Sequence, residues 1–353
     1  MFKSKSKKIT AAAGALLVAI GAGIYFHLQK EQPGTVTLKI LQTQGADAID
    51  GWKALSAEFY KTHPHIALSV SYIDPSHLES PSFDVLVSDP AAMARHGLAG
   101  QDLYEDGYQV LYYNRSLATS VPESWETLAQ AAWAQTKGAE ERYGLAWPDD
   151  TFAIFPLFAT ALSGHQDPAT AARLGFEALD LVRFVYPATP LGCHASCAAR
   201  IFTGGRSPYA IAGEWRLAEF QTAFGDKLGV APLPGSAVSM RQTMQYGAAP
   251  ELSGERLKAY EEWSRFLQSE AGMRLMFKTL HKLPSLAVKG NVSLQDPLGD
   301  ELRVAAAKTI SLSKDAYEEH LQQLTPIVDD FKKGHIGIDQ AVKLLIGTLQ
   351  KSQ

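Results

Sequence analysis

The sequence predicts an α/β protein in two lobes with a helical tail, and three observations carry that expectation. The chain has 353 residues, more than one typical domain, with 46% hydrophobic and 20% charged residues, which supports a large buried core. Most of it alternates β-branched apolar runs with amphipathic stretches, the rhythm of sheets with parallel neighbours covered by helices. From Thr243 onward the pattern turns predominantly helical.

The elements follow in order. Residues 35–41, TVTLKIL, form an alternating strand, and Trp52, Leu55 and Phe59 sit at helical spacing before Pro64 ends the helix. IALSVSYI and FDVLVSD read as strands, AAMARHGL as a helix and YQVLYYNRSL as a further strand. Ser124 stands as N-cap before Trp125, Leu128, Ala129 and Ala132, which share one helical face. A short strand, RYGLAW, breaks at Pro148, and FAIFPLFATALSG reads as one apolar helix. An amphipathic stretch from Ala169 to Val185 leads to the only two cysteines, Cys193 and Cys197. The helix CAARIFTGG, the buried strand SPYAIAG and the strand KLGVAPLPG come next, followed by four helical segments.

Ahead of these elements, Lys3, Lys5, Lys7 and Lys8 precede the uncharged run Ile9 to Phe26. Its composition is that of an export signal. A membrane span needs about 20 apolar residues and a signal-peptide core about 7–15, so the run falls between the two. The small-x-small candidates, Ala19-Ile20-Gly21 and Gly21-Ala22-Gly23, lie inside the apolar run, and no lipid-accepting cysteine follows. The expectation is a basic n-region at 1–8, an anchor at 9–26 tethering the chain to the cytoplasmic membrane, and a spacer at 27–34. The rest then stands on the periplasmic or extracellular face, by the positive-inside bias. A cleaved signal peptide is the alternative.

An exported chain meets an oxidising compartment, so Cys193 and Cys197 are expected as a local disulfide. His194 between them admits a metal site, but three ligands within five residues and no fourth make a thin case, and no metal is expected. The net charge of −4 contains no run of like charges, so no nucleic-acid partner is expected. The mature chain has no GxxxxGK[ST] loop, HExxH helix, GxSxG elbow or GxGxxG turn, which removes the main enzyme readings and any implied cofactor. Adjacent Asp149 and Asp150 point apart on an extended chain and do not form a carboxylate pair across a bond.

The segments LYYNRSL, VPESWETLAQAA, FTGGRSPYAIAGEW, EEWSRFLQSEAGMRLMFKTLHKLPSL and GHIGIDQAVKLLIGTLQ occur in an order that resembles the solute-binding proteins of ABC importers, specifically the sugar-binding class. The resemblance covers nearly all of the exported part. It implies two lobes, each a mostly parallel sheet flanked by helices, joined by crossing strands near Tyr112 to Arg115 and Thr243 to Gly247. On that basis lobe 1 is 35–112 plus 247–300, and lobe 2 is 113–246 plus 301–353. It also implies a monomer that traps a small solute, with sugar favoured, by hinge closure, and an ABC permease as membrane partner. One departure is the short interval from Ala91 to Asn114, where the family usually has several tens of further residues.

A sugar site needs an aromatic platform and planar polar groups for hydroxyls. Trp215, between Glu214 and Arg216 at the end of the strand YAIAG, matches the family's cleft tryptophan; the competing reading is a cap on the apolar face of Leu217, Phe220 and Phe224. Trp147, Asp149, Asp150 and Phe152 match the loop lining the same lobe, or form a surface turn. Asp89 is either a hydroxyl acceptor or the N-cap of its helix. Trp52 faces the cleft or packs as a staple, and Tyr246 contacts ligand or orders the hinge. Other readings remain: a receptor for a membrane sensor, a glycan-processing enzyme using Asp149 or Glu214, or a binder of a polyamine, organic anion or metal chelate through Arg216 and Arg241.

Overall fold

A computed structural model describes residues 35–45, 48–74, 82–118, 120–163, 166–290 and 292–350. The n-region at 1–8, the apolar run at 9–26 and the spacer at 27–34 lie outside the described residues. Among the described residues, no helix is long and apolar enough to cross a membrane.

Strand β1 (Val36–Gln42), helix α1 (Ile49–Thr62) and strand β2 (Ile66–Tyr72) open the chain, with β1 and β2 paired in parallel along their whole length. Helix α1 lays Trp52, Leu55 and Phe59 on the sheet because their spacing puts them on one face. Strand β3 (Val85–Ser88) joins the other side of β1, and α2 (Pro90–Arg95) follows. Strand β4 (Gln101–Asp106) completes this passage. The chain then crosses at Gly107 and Tyr108 into β5 (Gln109–Asn114), an interior strand of a second sheet. Gly107 has φ 75°, in the left-handed region that a residue without Cβ enters without strain.

In the second lobe, α3 (Trp125–Gln135) begins with a capping box in which Ser124 and Thr127 satisfy each other's backbone N–H groups. Strand β6 (Leu145–Ala146) is brief, and the expected single apolar helix is broken into α4 (Thr151–Ile154), a 3₁₀ turn and α5 (Ala159–Leu162). Pro156 lies in that turn and has no N–H to continue the ladder. Helices α6 (Pro168–Asp180) and α7 (Ala195–Thr203) flank the disulfide loop, and Cys193 and Cys197 are bonded with Cα atoms 5.4 Å apart. Strand β7 (Tyr209–Gly213), helix α8 (Leu217–Phe224) and strand β8 (Leu228–Ala231) finish a sheet of order β6-β7-β5-β8.

At Ser239 the chain returns to the first sheet in β9 (Met240–Ala248), which runs antiparallel between β3 and β4. Helices α9 (Gly254–Gln268) and α10 (Glu270–Leu280) cover that lobe, and β10 (Leu283–Pro284) pairs with β4 ahead of α11 (Ser285–Lys289). Helix α12 (Pro297–Ala307) packs Leu298, Leu302 and Ala306 in one core with Val230 and Phe220 of the second lobe. Strand β11 (Ile310–Ser311) touches Met240 and Arg241, and α13 (Lys314–Lys332) and α14 (Ile338–Leu349) bury Leu324, Phe331 and Leu345 in a core shared with Phe158 and Phe176.

Two α/β lobes are therefore present. Strands β1 to β4 run one way, and so do β6 to β8, with β9 and β5 inserted antiparallel into the first and second sheets. The boundaries differ from the sequence reading, which puts Tyr112 to Arg115 and Thr243 to Gly247 at the crossings. All of β5 belongs to the second sheet and all of β9 to the first, so the sheets change over at Gly107–Tyr108 and Ser239. Likewise α12 covers the second sheet, although lobe 1 is read as running to residue 300.

Candidate functional site

Strand β7 is buried apart from half-buried Ala212, and the 3₁₀ turn Glu214–Arg216 then swings Trp215 outward, leaving it 45% exposed. Its ring folds back over Gly213, where a Cβ would stand 2.0 Å from the ring. Phe152, 40% exposed, lies 5.8 Å from Trp215 between ring centroids. Phe152 in turn lies 6.0 Å from Tyr317, and Tyr317 lies 4.8 Å from Phe155. Asp150 caps α4 through the Ala153 N–H at 2.9 Å, and the Gln109 side chain donates to the Phe152 carbonyl at 2.9 Å. The cap and the crossing strand thus hold a row of aromatic rings on the second lobe.

Opposite this row, the first lobe presents polar groups across two openings. The larger, a cavity of about 350 Å³, is lined by Gln44, Asp106 and the stretch from Thr279 to Lys282 on one side and by Glu214, Trp215 and Ala218 on the other. The smaller, about 140 Å³, brings Arg241 and Gln242 of β9 against Phe152, Phe155 and Tyr317. Gly107 lines both, so the two openings meet at the crossing. Apolar C–H faces and hydroxyl rims are the chemistry that a row of rings facing amides and ion pairs accommodates.

Each cation here already has a carboxylate partner. Lys282 donates to Asp106 and, at 2.7 Å, to Glu214, while Gln44 donates to Asp106 at 2.7 Å. Glu214 also accepts the Tyr108 N–H at 3.1 Å. Burial pushes the Glu214 carboxyl up to about 8, opposed by the Lys282 ammonium and reinforced by Asp106. Arg241 forms an ion pair with Glu105 at 3.4 Å and donates to the Ala306 carbonyl at 3.2 Å, and Arg216 pairs with Glu219 at 2.6 Å. Burial holds the His281 imidazole below its usual range, only partly countered by Asp296.

Of the residues singled out in the sequence, Trp215, Glu214, Arg216, Asp150 and Phe152 line these openings or the narrow gap between α7 and Trp215. The others lie elsewhere. Trp147 is 4% exposed, stacked on Trp125, and donates to the Ala153 carbonyl, so it is core. Asp149 is held by Arg183 at 2.7 Å and by Lys332, which fix the loop instead of facing the cleft. Asp89 caps α2 through the Ala92 N–H. Trp52 is 1% exposed and packs with Leu55 and Phe59, because the first apolar position of an amphipathic helix faces the sheet. Tyr246 is buried and bonds Gln101 and Ser264, which orders β9. His194 caps α7 through the Cys197 N–H.

Sequence reasoning missed Gln44, Asp106, Lys282, Gln242 and Tyr317. A usable signal existed for Asp106, since Asp106-Gly107 is a turn dipeptide at the end of a segment with buried Leu103 and Tyr104. None existed for Lys282 or Tyr317, which reach the site through tertiary packing of distant helices.

Residues 54–289 match the family model described as bacterial extracellular solute-binding protein. A curated relative, the maltotriose-binding protein of Pyrococcus abyssi, is 25% identical over 131 residues, covering 35% of this chain and 28% of that protein's length. Among solved structures, the maltose/maltodextrin-binding domain of Bdellovibrio bacteriovorus bound to maltotriose is similar with a TM-score of 0.65 and 14% identity, over 90% of this chain and 99% of that one. The GacH receptor of Streptomyces glaucescens, studied unliganded and with acarbose, gives a TM-score of 0.65 at 17% identity, over 90% and 98% of the chains. Those likenesses establish a shared two-lobed fold, and the family match, taken with the two sheets and the openings between them, makes this chain a member of the bacterial extracellular solute-binding proteins.

Proposed function

We propose that the protein captures a neutral sugar between its lobes and delivers it to an ABC permease, with no chemical step of its own. The observation that carries this reading is the pairing of a ring row with a polar wall whose cations already have carboxylate partners. Lys282, Arg241 and Arg216 each already have a carboxylate partner, so a polyamine or an organic anion would have to displace an existing ion pair to be neutralised. A sugar instead adds hydroxyl bonds without disturbing them. The fold and the names of the similar proteins, which bind maltotriose or maltodextrin, support the same class. Ligand that touches both walls only when the lobes are together shifts the population towards the closed form. In this reading the apolar run at 9–26 keeps the protein beside its permease.

Calorimetric titration with maltotriose, spermidine and citrate at 50 mM and 500 mM salt tests it. Maltotriose is expected to bind, with a dissociation constant that salt leaves unchanged within a factor of about two, because exposed charge interactions are what salt screens. Binding of spermidine or citrate alone, weakened by salt, would refute the sugar assignment.

A further inference from the structure

We propose that lobe closure takes up one proton, held by the Glu214 carboxyl where it and Asp106 meet around the single ammonium of Lys282. The arrangement is a count of charges across the interlobe boundary. Glu214 belongs to the second lobe, while Asp106 ends β4 and Lys282 precedes β10 in the first. The Glu214 side chain has no exposure, and both carboxyls bond the same Nζ. Two carboxylates on one ammonium leave a net negative charge where the Glu214 carboxyl is fully buried, and a proton removes it. Asp106, whose side chain keeps 24% exposure, is the carboxyl that stays ionised, and Glu214 is the one that holds the proton.

Among the described residues, no other group near Glu214 supplies that proton's charge balance. Gln44 is neutral and bonds Asp106. Tyr104 of β4, Tyr108 of the crossing and Tyr112 of β5 are fully buried, and burial first, then the charge of Glu214 or Asp106, holds their phenols well above the usual range. His281, beside Lys282 in sequence, interacts with Asp296. Separation of the lobes draws Glu214 from Lys282 and Asp106 and opens it to water through the 350 Å³ cavity that all three line. Its carboxyl then returns toward the ordinary range near 4.3. The sign follows: the closed form carries a raised pKa, so closure is fully supported below the open-state value and loses support as pH rises towards about 8. Between those limits the closed-to-open ratio falls by up to about tenfold per pH unit.

This inference rests on the reading that the lobes open and close, and not on which solute they hold. The test therefore reads the pH response without solute and uses maltotriose only as a control for hinge closure. Spin labels on the full chain at Ala57→Cys in α1 and Ala134→Cys in α3, both exposed, report the interlobe distance. The expected result is a shift to shorter distance as pH falls from 8.5 to 6, and a short, pH-independent distance in Glu214→Gln. Asp106→Asn, which leaves one carboxylate on Lys282, gives a second flat profile should the glutamine variant fail to fold. A wild-type distance that shortens with maltotriose at pH 8.5 but ignores pH would overturn the proton coupling and leave the hinge intact. Variants that track the wild type through the pH range would overturn it as well. A distance that neither pH nor maltotriose moves would remove hinge closure itself, and the inference with it.

Discussion

Gly213 has an ordinary extended backbone, φ −74° and ψ 158°, which alanine adopts without strain. Its lack of a side chain matters for a neighbour: the Trp215 ring occupies the space a Cβ would need. Gly213→Ala is thus expected to swing that ring out of the row while leaving the strand paired. Maltotriose affinity should fall about tenfold to a hundredfold, or ~1.4 to ~2.8 kcal/mol, close to the loss from Trp215→Ala, with little change in melting temperature. Titration calorimetry and a thermal melt on both variants check this, and full affinity in Gly213→Ala would show that the ring position is not set there. At this scale the sequence was informative where a residue type met a strand end, as at Trp215, and uninformative where type alone had to decide the face. Trp52, Trp147 and Tyr246 are aromatic for the same reason most aromatics are, to fill a core.

Two strands of the first sheet show why element reading fails in a particular way. Strand β4 reads QDLYED and β9 reads MRQTMQYGA, neither with an apolar period, yet they form neighbouring strands inside the sheet. Their polar residues meet each other in register: Gln101 beside Tyr246, Asp102 beside Gln245, and Glu105 beside Thr243. Each of these pairs is hydrogen-bonded, so each buried polar side chain has a partner across the ladder, and hydropathy has nothing to detect. The disulfide loop is legible by contrast, because two cysteines in an exported chain leave few choices. Its bond pins the loop whose Cys193 carbonyl accepts the Asp149 N–H at 2.8 Å. Replacing both cysteines by serine is expected to cost about 2 kcal/mol by the chain-entropy estimate for so short a loop. A denaturant melt of the double variant measures it; an unchanged midpoint would assign the bond no role in stability.

For the molecule as a whole, the order of strands and helices along the chain was largely legible, and the two-lobed plan came from motif order. The crossing points were not, because a strand's membership of one sheet or the other depends on partners distant in sequence. The last helix illustrates that dependence. Ala341, Val342 and Leu345 of α14 fill the second lobe's core beside Phe176, so a chain ending at Gly337 should lose cooperative melting of that lobe. Calorimetric scans are expected to show a broadened or separate low-temperature transition, and a single unchanged transition would count against the helix as a core element. The same interleaving has a consequence in time. The first sheet cannot be completed until β9 has been synthesised, and the second lobe's core cannot be completed until α14 has been synthesised. Neither half has a finished interior before those late elements are made. Completion of either lobe therefore waits on segments made long after its first strand, and the earlier part of the chain has no finished core in which to lock.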